Sequence, residues 1–380
     1  MSKELRDILA RVRQLGPGDE AVLATVVSLE GSGYRLPGAR MLIDRNGAAI
    51  GTVSGGCLEA DLLERAQAVF DTGMPVVITY DTRGNDDSIF SLNMGCNGVL
   101  KVLIESVEGN DLFALIEQVF TTRQPITIAT VIESHDPNHP VGERSIVNND
   151  SSGTIRYPPS TVHCFTETLR PPLNLIVFGA GFDAVSIVRL AKELGWHVTV
   201  VDHRAAHLDP ERLSHPDKLL EIRPESLADE LNFDSDTAAV VMTHNFEHDR
   251  QIMRFLLNNE LQYIGALGPK ARTERILADL NAESDRINPK ALAVLHAPIG
   301  LDIGAQTPES IALSIIAEIQ AVIANRDAGF LKDSTAPIYD RVSSPHVSKG
   351  HANDPQDRPT KDTKNTNGME ERAEVAEARA

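Results

Sequence analysis

The stretch NLIVFGAGFDA, residues 174–184, constrains the fold of this 380-residue chain more than any other. Leu175, Ile176, Val177 and Phe178 are consecutive apolar residues without alternation, so both faces of the strand they form must be covered, as in a parallel sheet. The strand runs directly into Gly179, Gly181 and Ala184 in the pattern G-x-G-x-x-A, and AVSIVRLAKELG continues with helical spacing. Strands and helices then alternate: HVTVVD, AAVVMTH, DRQIMRFLLNN, YIGALG, ARTERILADLNA, ALAVLHAPIG and PESIALSIIAEIQAVIANR. This order predicts an α/β domain with a doubly wound parallel sheet over 173–326.

Ligands of such sheets sit at the strand ends, so the loops there carry the candidate chemistry. Asp202 closes HVTVVD about 20 residues beyond the glycines, where a carboxylate would meet a ribose hydroxyl. Arg204 leaves NAD and NADP both open, and the helix start after Gly181 would equally accept the phosphate of a nucleotide or a pterin. MTHNFEHD places His244, His248 and Asp249 past another strand. They could contribute to a metal site that lacks an evident third ligand, or lie at the surface of a helix capped by Asn245 or a neighbour. Lys270 and Arg272 lie near the helix start after IGALG, as anion contacts or as a solvated helix face. Asp302 stands between Gly300 and Gly304 in a loop that suggests backbone close to a ligand. Thr307, Pro308 and Glu309 then mark a helix start by cap, first position and first turn.

The N-terminal part reads as an internal repeat of about 104 residues. LRDILARVRQL and VLATVVSLEGSGYRLPGARMLIDRNGAAIG align with LFALIEQVF and TIATVIESHDPNHPVGERSIVNNDSSGTIR. Val22, Ala24 and Val26, then Met41 and Ile43, alternate as strands, with DRNG and NNDSSG as hairpin turns. The expected division is an N-terminal α+β domain over 1–107, a degenerate second copy and linker over 108–172, the parallel-sheet domain, and a disordered polar tail over 331–380.

The first copy continues into VSGGCLEADLLERA, which the second lacks. Cys57, after Gly55 and Gly56 and before Glu59, is either a small apolar residue at a strand-to-helix turn or a thiol activated at a helix start. Cys96 follows Gly95 in a second glycine-bearing turn, MGCNG. The cysteines, three in all, are scattered and form no CxxC pair, so they read as free thiols in a reducing compartment. A formal charge of −18 argues against nucleic-acid and anionic-membrane partners. No apolar run reaches the roughly 18 residues of a membrane span, and the opening MSKELRDILARVRQLG lacks a signal-peptide core, so a cytoplasmic protein is expected.

EGSGYRLPGARM, SGGCLE, MGCNG, FGAGFDA, VTVVDHR, MTHNFEHD, IGALGPKAR and PIGLDIGAQTPESIALSIIAEI occur in the order that resembles the XdhC/CoxI family, accessory proteins of xanthine dehydrogenase and related molybdenum hydroxylases. The resemblance covers approximately residues 1–325. It implies a Rossmann-like second domain and a maturation chaperone that binds molybdenum cofactor (molybdopterin), supports its sulfuration and delivers it to the apo-enzyme. Carried over by position, Gly55, Gly56, Cys57, Glu59, Gly95, Cys96, Gly179, Gly181 and Asp202 match family motifs, and Cys57 and Cys96 would face molybdenum or its sulfur. Lys270 and Arg272 would hold the pterin phosphate. A cysteine desulfurase and a homodimer are further expected partners. Phe182 stands where the family commonly has histidine, Pro269 and Lys270 replace a Ser-Arg pair, and Asn93 and Asn97 interrupt a glycine-rich stretch, which leaves the ligand of the Rossmann-like domain open. An NAD(P)-dependent oxidoreductase and a pure protein scaffold are the competing expectations.

Overall fold

The computed structural model describes residues 3–83, 98–147, 161–283 and 287–334. Gly95, Cys96, the expected NNDSSG turn and the tail beyond 334 lie outside them. Helix α1 (Lys3–Val12) precedes β1 (Ala21–Gly31), β2 (Arg40–Asp44) and β3 (Ala49–Gly51); α2 (Glu59–Thr72), β4 (Val76–Asp81) and β5 (Gly98–Ser106) complete an antiparallel sheet of order β3-β2-β1-β5-β4. The alternating residues of β1 form the expected strand, and its first seven residues are all buried. Val22, Ala24 and Val26 pack with Leu62, Ala66 and Val69 of α2, while Ala21 and Leu23 join Ile8 and Leu9 of α1 and Ile116 of α3 (Leu112–Thr122). Helices therefore cover both faces of the strand.

The second copy follows as β6 (Ile126–Ser134), β7 (Arg144–Ile146) and β8 (Val162–Leu169), in the order β7-β6-β8. Its likeness to the first extends to the hydrogen bonds. Thr25 is opposite Arg40 as Thr130 is opposite Arg144; Leu23 is opposite Glu105 as Ile128 is opposite Glu167. Register shifts fall at Val26/Ser28 and at Val131/Glu133. The copies also exchange charges: Arg40 of the first pairs with Glu167 of the second, and Arg144 of the second with Glu105 of the first. Both arginine side chains are only 5% exposed; Arg40 takes its hydrogen-bonded counter-ion from the other copy, whereas Arg144 also lies 3.2 Å from Asp111 of its own copy. Burial pushes the Glu105 carboxyl up, against the pull of Arg144.

The remaining elements are β9 (Asn174–Phe178), α4 (Phe182–Glu193), β10 (His197–Asp202), β11 (Lys218–Glu221), α5 (Leu227–Glu230), β12 (Thr237–Val241), α6 (Phe246–Leu257), β13 (Tyr263–Ala266), α7 (Lys270–Ala282), α8 (Pro289–Ala293), β14 (Leu295–His296) and α9 (Pro308–Ile323). All pairs in this sheet are parallel, in the order β11-β10-β9-β12-β13-β14. It is the doubly wound arrangement in which strand order reverses between the first and fourth strands. One face packs on α4 and α9 through Val177, Ile187 and Ile315, the other on α6 and α7 through Ile176, Ile252 and Ile276. ALAVLHAPIG, read as one strand, is a short helix and a two-residue strand, because Pro289 opens a helical turn capped by Asn288.

The two halves are tied along the strand starts of this sheet. Arg6 of α1 donates to the Trp196 carbonyl and to Asp217, both at 2.7 Å, just ahead of β10 and β11. Arg123, after α3, pairs with Asp234 ahead of β12 and donates to the Pro172 carbonyl ahead of β9 at 3.1 Å. The opposite edge, where the strands end, carries the glycine loops.

Candidate functional site

At the strand-end edge the chain reverses winding between β9 and β12, and Gly179 sits there with φ 113°. A Cβ at this position would lie 2.6 Å from the Met242 carbonyl oxygen at the end of β12, so only glycine lets the two strand ends close together. Gly181 opens α4 at its N-cap. Asp202 is turned inward: Oδ2 accepts from the Ala180 amide at 2.8 Å, and Arg204 donates its amide and side chain to the same carboxylate at 2.9 Å. Burial opposes its charge, but these donors hold the carboxyl well below the usual carboxylate range. The residue expected to meet a ribose thus stabilises the glycine turn from beneath, with 2% of its side chain exposed.

Next to it, His203 and His248 meet edge to face with ring centroids 4.5 Å apart, beside a cavity of about 20 Å³ also lined by Asp202 and Thr243. Asp249 is buried and accepts from Thr243 Oγ1 at 2.5 Å and from Arg272 at 2.6 Å. That network braces the loop and leaves Arg272 over the Phe246 ring; Asn245 caps α6 by accepting from the His248 amide at 3.1 Å. Among the described residues no group of three or more His, Cys, Asp or Glu is arranged to hold a metal ion. Lys270 and Asp302 are exposed. The 300–304 loop is anchored by Glu318, which sequence reading missed: it accepts from the Gly300 amide at 2.9 Å and from Tyr263, and lies 3.3 Å from His296 Nδ1. Its signal was a carboxylate within an otherwise apolar stretch of α9.

The cysteine loop belongs to the other half. Helix α2 starts at Glu59 with Leu58 as N-cap, so Cys57 stands ahead of the helix, fully outside, as an exposed free thiol. Gly55 and Gly56 take φ of 79° and 117°, and the Tyr34 ring lies where a Gly55 side chain would be, 2.7 Å from that position. Glu59 gathers the loop around its carboxylate. The amides of Ser54, Gly56 and Leu58 donate to it at 2.9, 2.8 and 3.1 Å, and the Thr52 and Ser54 hydroxyls donate as well. Burial disfavours its charge, but these bonds prevail and hold the carboxyl at about 2. Glu59 therefore shapes the loop that presents Cys57. Cys164, on β8, is half-buried, and burial with the nearby Glu143 pushes its thiol up to about 11.

A glycine-turned doubly wound sheet joined at its strand starts to repeated antiparallel hairpins with a presented thiol places the protein in the Rossmann class. Two family models match it: the XdhC Rossmann domain over residues 175–319 and the XdhC and CoxI family over 15–81. A Bacillus subtilis (strain 168) protein described as a probable xanthine dehydrogenase subunit is 36% identical over 315 residues, spanning 79% of this chain and 92% of that protein. The molybdenum cofactor insertion chaperone PaoD of Escherichia coli (strain K12) is 24% identical over 319 residues, 82% of this chain and 86% of that one. A crystal structure described as a xanthine dehydrogenase from Bacillus halodurans superposes with a TM-score of 0.72 at 30% identity, covering 88% of this chain and 98% of that one. The chain belongs to the XdhC and CoxI family.

Proposed function

We propose that this protein is a maturation chaperone whose cargo is molybdenum cofactor: it binds the molybdopterin, holds it for addition of the terminal sulfido ligand, and passes it to an apo xanthine dehydrogenase or related molybdenum hydroxylase. The observation that carries the reading is the exposed Cys57 on a loop fixed by Glu59, in a chain akin over most of its length to a molybdenum cofactor insertion chaperone. A thiolate suits a soft, sulfur-rich centre, and a pre-shaped loop presents it without ordering cost on binding. Cys96, with Gly95, is the proposed second thiol. Gly179, Gly181, Lys270, Arg272 and Asp302, all in loops or helix starts at the strand-end edge, are proposed to receive a nucleotide, either a separate one or the nucleotide portion of a nucleotide-bearing cofactor. A cysteine desulfurase as sulfur source, a cytoplasmic location, a homodimer and the division at 107, 172 and 326 belong to the same proposal. No described helix is long and apolar enough to cross a membrane.

The test is purification of the full chain from a cofactor-producing host, with elemental analysis for molybdenum, fluorescence of the oxidised pterin, and activation of apo-dehydrogenase. Cys57→Ala and Cys96→Ala are expected to lose retained cofactor; unchanged retention and activation would remove the thiols from the mechanism. The NAD(P)-dependent oxidoreductase is the second reading, favoured by Gly179 at the point where strand order reverses. It requires Asp202 to release donors it already holds, and saturable NAD(P)H binding weakened by Asp202→Ala would support it.

A further inference from the structure

The motif EGSGYRLPGARM has no role in the function above, yet its residues 34–40 form one wall of a cleft of about 410 Å³. Glu4 and Leu5 of α1 form the other. Its chemistry is mixed in a definite way. Tyr34 and Leu36 offer apolar surface, with 62% and 42% of each residue exposed. Arg35 contributes a guanidinium that is held by Glu4 and 29% exposed. The second carboxylate oxygen of Glu4 accepts from the Thr52 amide at 2.8 Å, so the same carboxylate joins Arg35 to the start of the cysteine loop. Arg40 lies deeper, paired with Glu167, and its buried Nε has no hydrogen-bond partner. Tyr34 in turn covers Gly55, two residues before Cys57.

We infer that this cleft is a binding site for a planar heteroaromatic ring carrying a phosphate, with the ring laid against Tyr34 and the phosphate on Arg35. The inference rests on the maturation reading for the identity of its natural occupant, a pterin phosphate, and on geometry alone for its chemical class. The volume falls in the range of small-molecule sites, the exposed aromatic ring supplies a stacking face, and a guanidinium fork pairs with phosphate as it does with the Glu4 carboxylate that now holds it. The Tyr34 ring also packs against Gly55, two residues from Cys57, so the cleft and the cysteine loop share that side chain.

The experiment titrates the purified full chain calorimetrically with guanosine monophosphate, whose amino-oxo pyrimidine ring and phosphate reproduce the recognised features of a pterin phosphate. Wild type is expected to bind, with affinity lowered at least tenfold in Arg35→Met and severalfold in Tyr34→Leu. Arg13→Met, which removes an equal charge from an exposed ion pair with Glu117, is expected to bind as wild type does. No binding by wild type at millimolar ligand, wild-type affinity in folded Arg35→Met and Tyr34→Leu, or equal weakening in Arg13→Met overturns the inference. Melting curves confirm folding, and Tyr34→Leu decides the question should Arg35→Met fail to fold. Pterin content of the same preparations separates the two proposals: Arg35-dependent nucleotide binding without copurified pterin sinks the maturation reading and leaves the cleft, whereas copurified pterin indifferent to both substitutions does the reverse.

Discussion

Replacing Glu59 by glutamine tests whether one carboxylate shapes the cysteine loop. The change keeps the size of the side chain and removes the charge that gathers the amides of Ser54, Gly56 and Leu58. A carboxyl held at about 2 in place of its ordinary 4.5 corresponds to roughly 3 kcal/mol for a fully shielded group. Glu59 is only part-buried, so solvent screening reduces this to about 1.5 kcal/mol. Because the folded-state value is depressed, the contribution is complete above about pH 4.5 and is lost as pH falls towards 2. Glu59→Gln is therefore expected to lower stability to urea by about 1.5 kcal/mol at pH 7, with a gap between variant and wild type that narrows below pH 4.5. Hydrogen exchange measured by mass spectrometry on a peptide spanning 52–58 is expected to accelerate at pH 7 in the variant. Unchanged exchange in that peptide, or a stability difference under about 0.5 kcal/mol at pH 7, would show that the loop holds its shape by other means.

Other perturbations discriminate within the fold. Arg144→Met removes the hydrogen-bonded counter-ion of buried Glu105, leaving it Asn110 and the nearby charge of Arg40, and is expected to cost at least about 2 kcal/mol in denaturant unfolding. Gly179→Ala places a Cβ against the Met242 carbonyl and is expected to cost at least about 2 kcal/mol in the same assay, whereas Gly181→Ala, with φ −72° and no atom within 4 Å of the added carbon, should change stability by less than about 1 kcal/mol. In thiol alkylation at pH 7.5 followed by peptide mapping, Cys57 is expected to be modified well before Cys164, whose thiol burial pushes up to about 11.

The parallel sheet was legible because burial on both faces writes itself as unbroken apolar runs such as NLIVF, and because glycine is the residue that permits the contact with Met242. Helix starts were legible for the same local reason: Thr307 and Asn245 cap where expected, with Pro308 and Glu309 in the first turn, and Ser310 closes the capping box with Thr307. The direction in which a side chain points was not legible. Glu59 and Asp202 were expected to contact cofactor, and each also holds donors of its own loop, since a carboxylate motif is the same whether it points outward or inward. The cleft of residues 34–40 could not be seen because its opposite wall is Glu4, on a helix that precedes β1. The duplicated hairpins were visible as aligned strings, but not their exchange of arginine and glutamate, because matching charges within each copy gave no hint of which copy they serve.

That exchange orders events on the ribosome. Arg40 emerges 127 residues ahead of Glu167, and Glu105 emerges 39 ahead of Arg144. Until residue 144 has been made, Arg40 and Glu105 of the first copy have each other's charge nearby but neither hydrogen-bonded counter-ion, and Arg40 must wait longer still. The early-made copy is thus expected to reach its closed state only after the second copy has been synthesised.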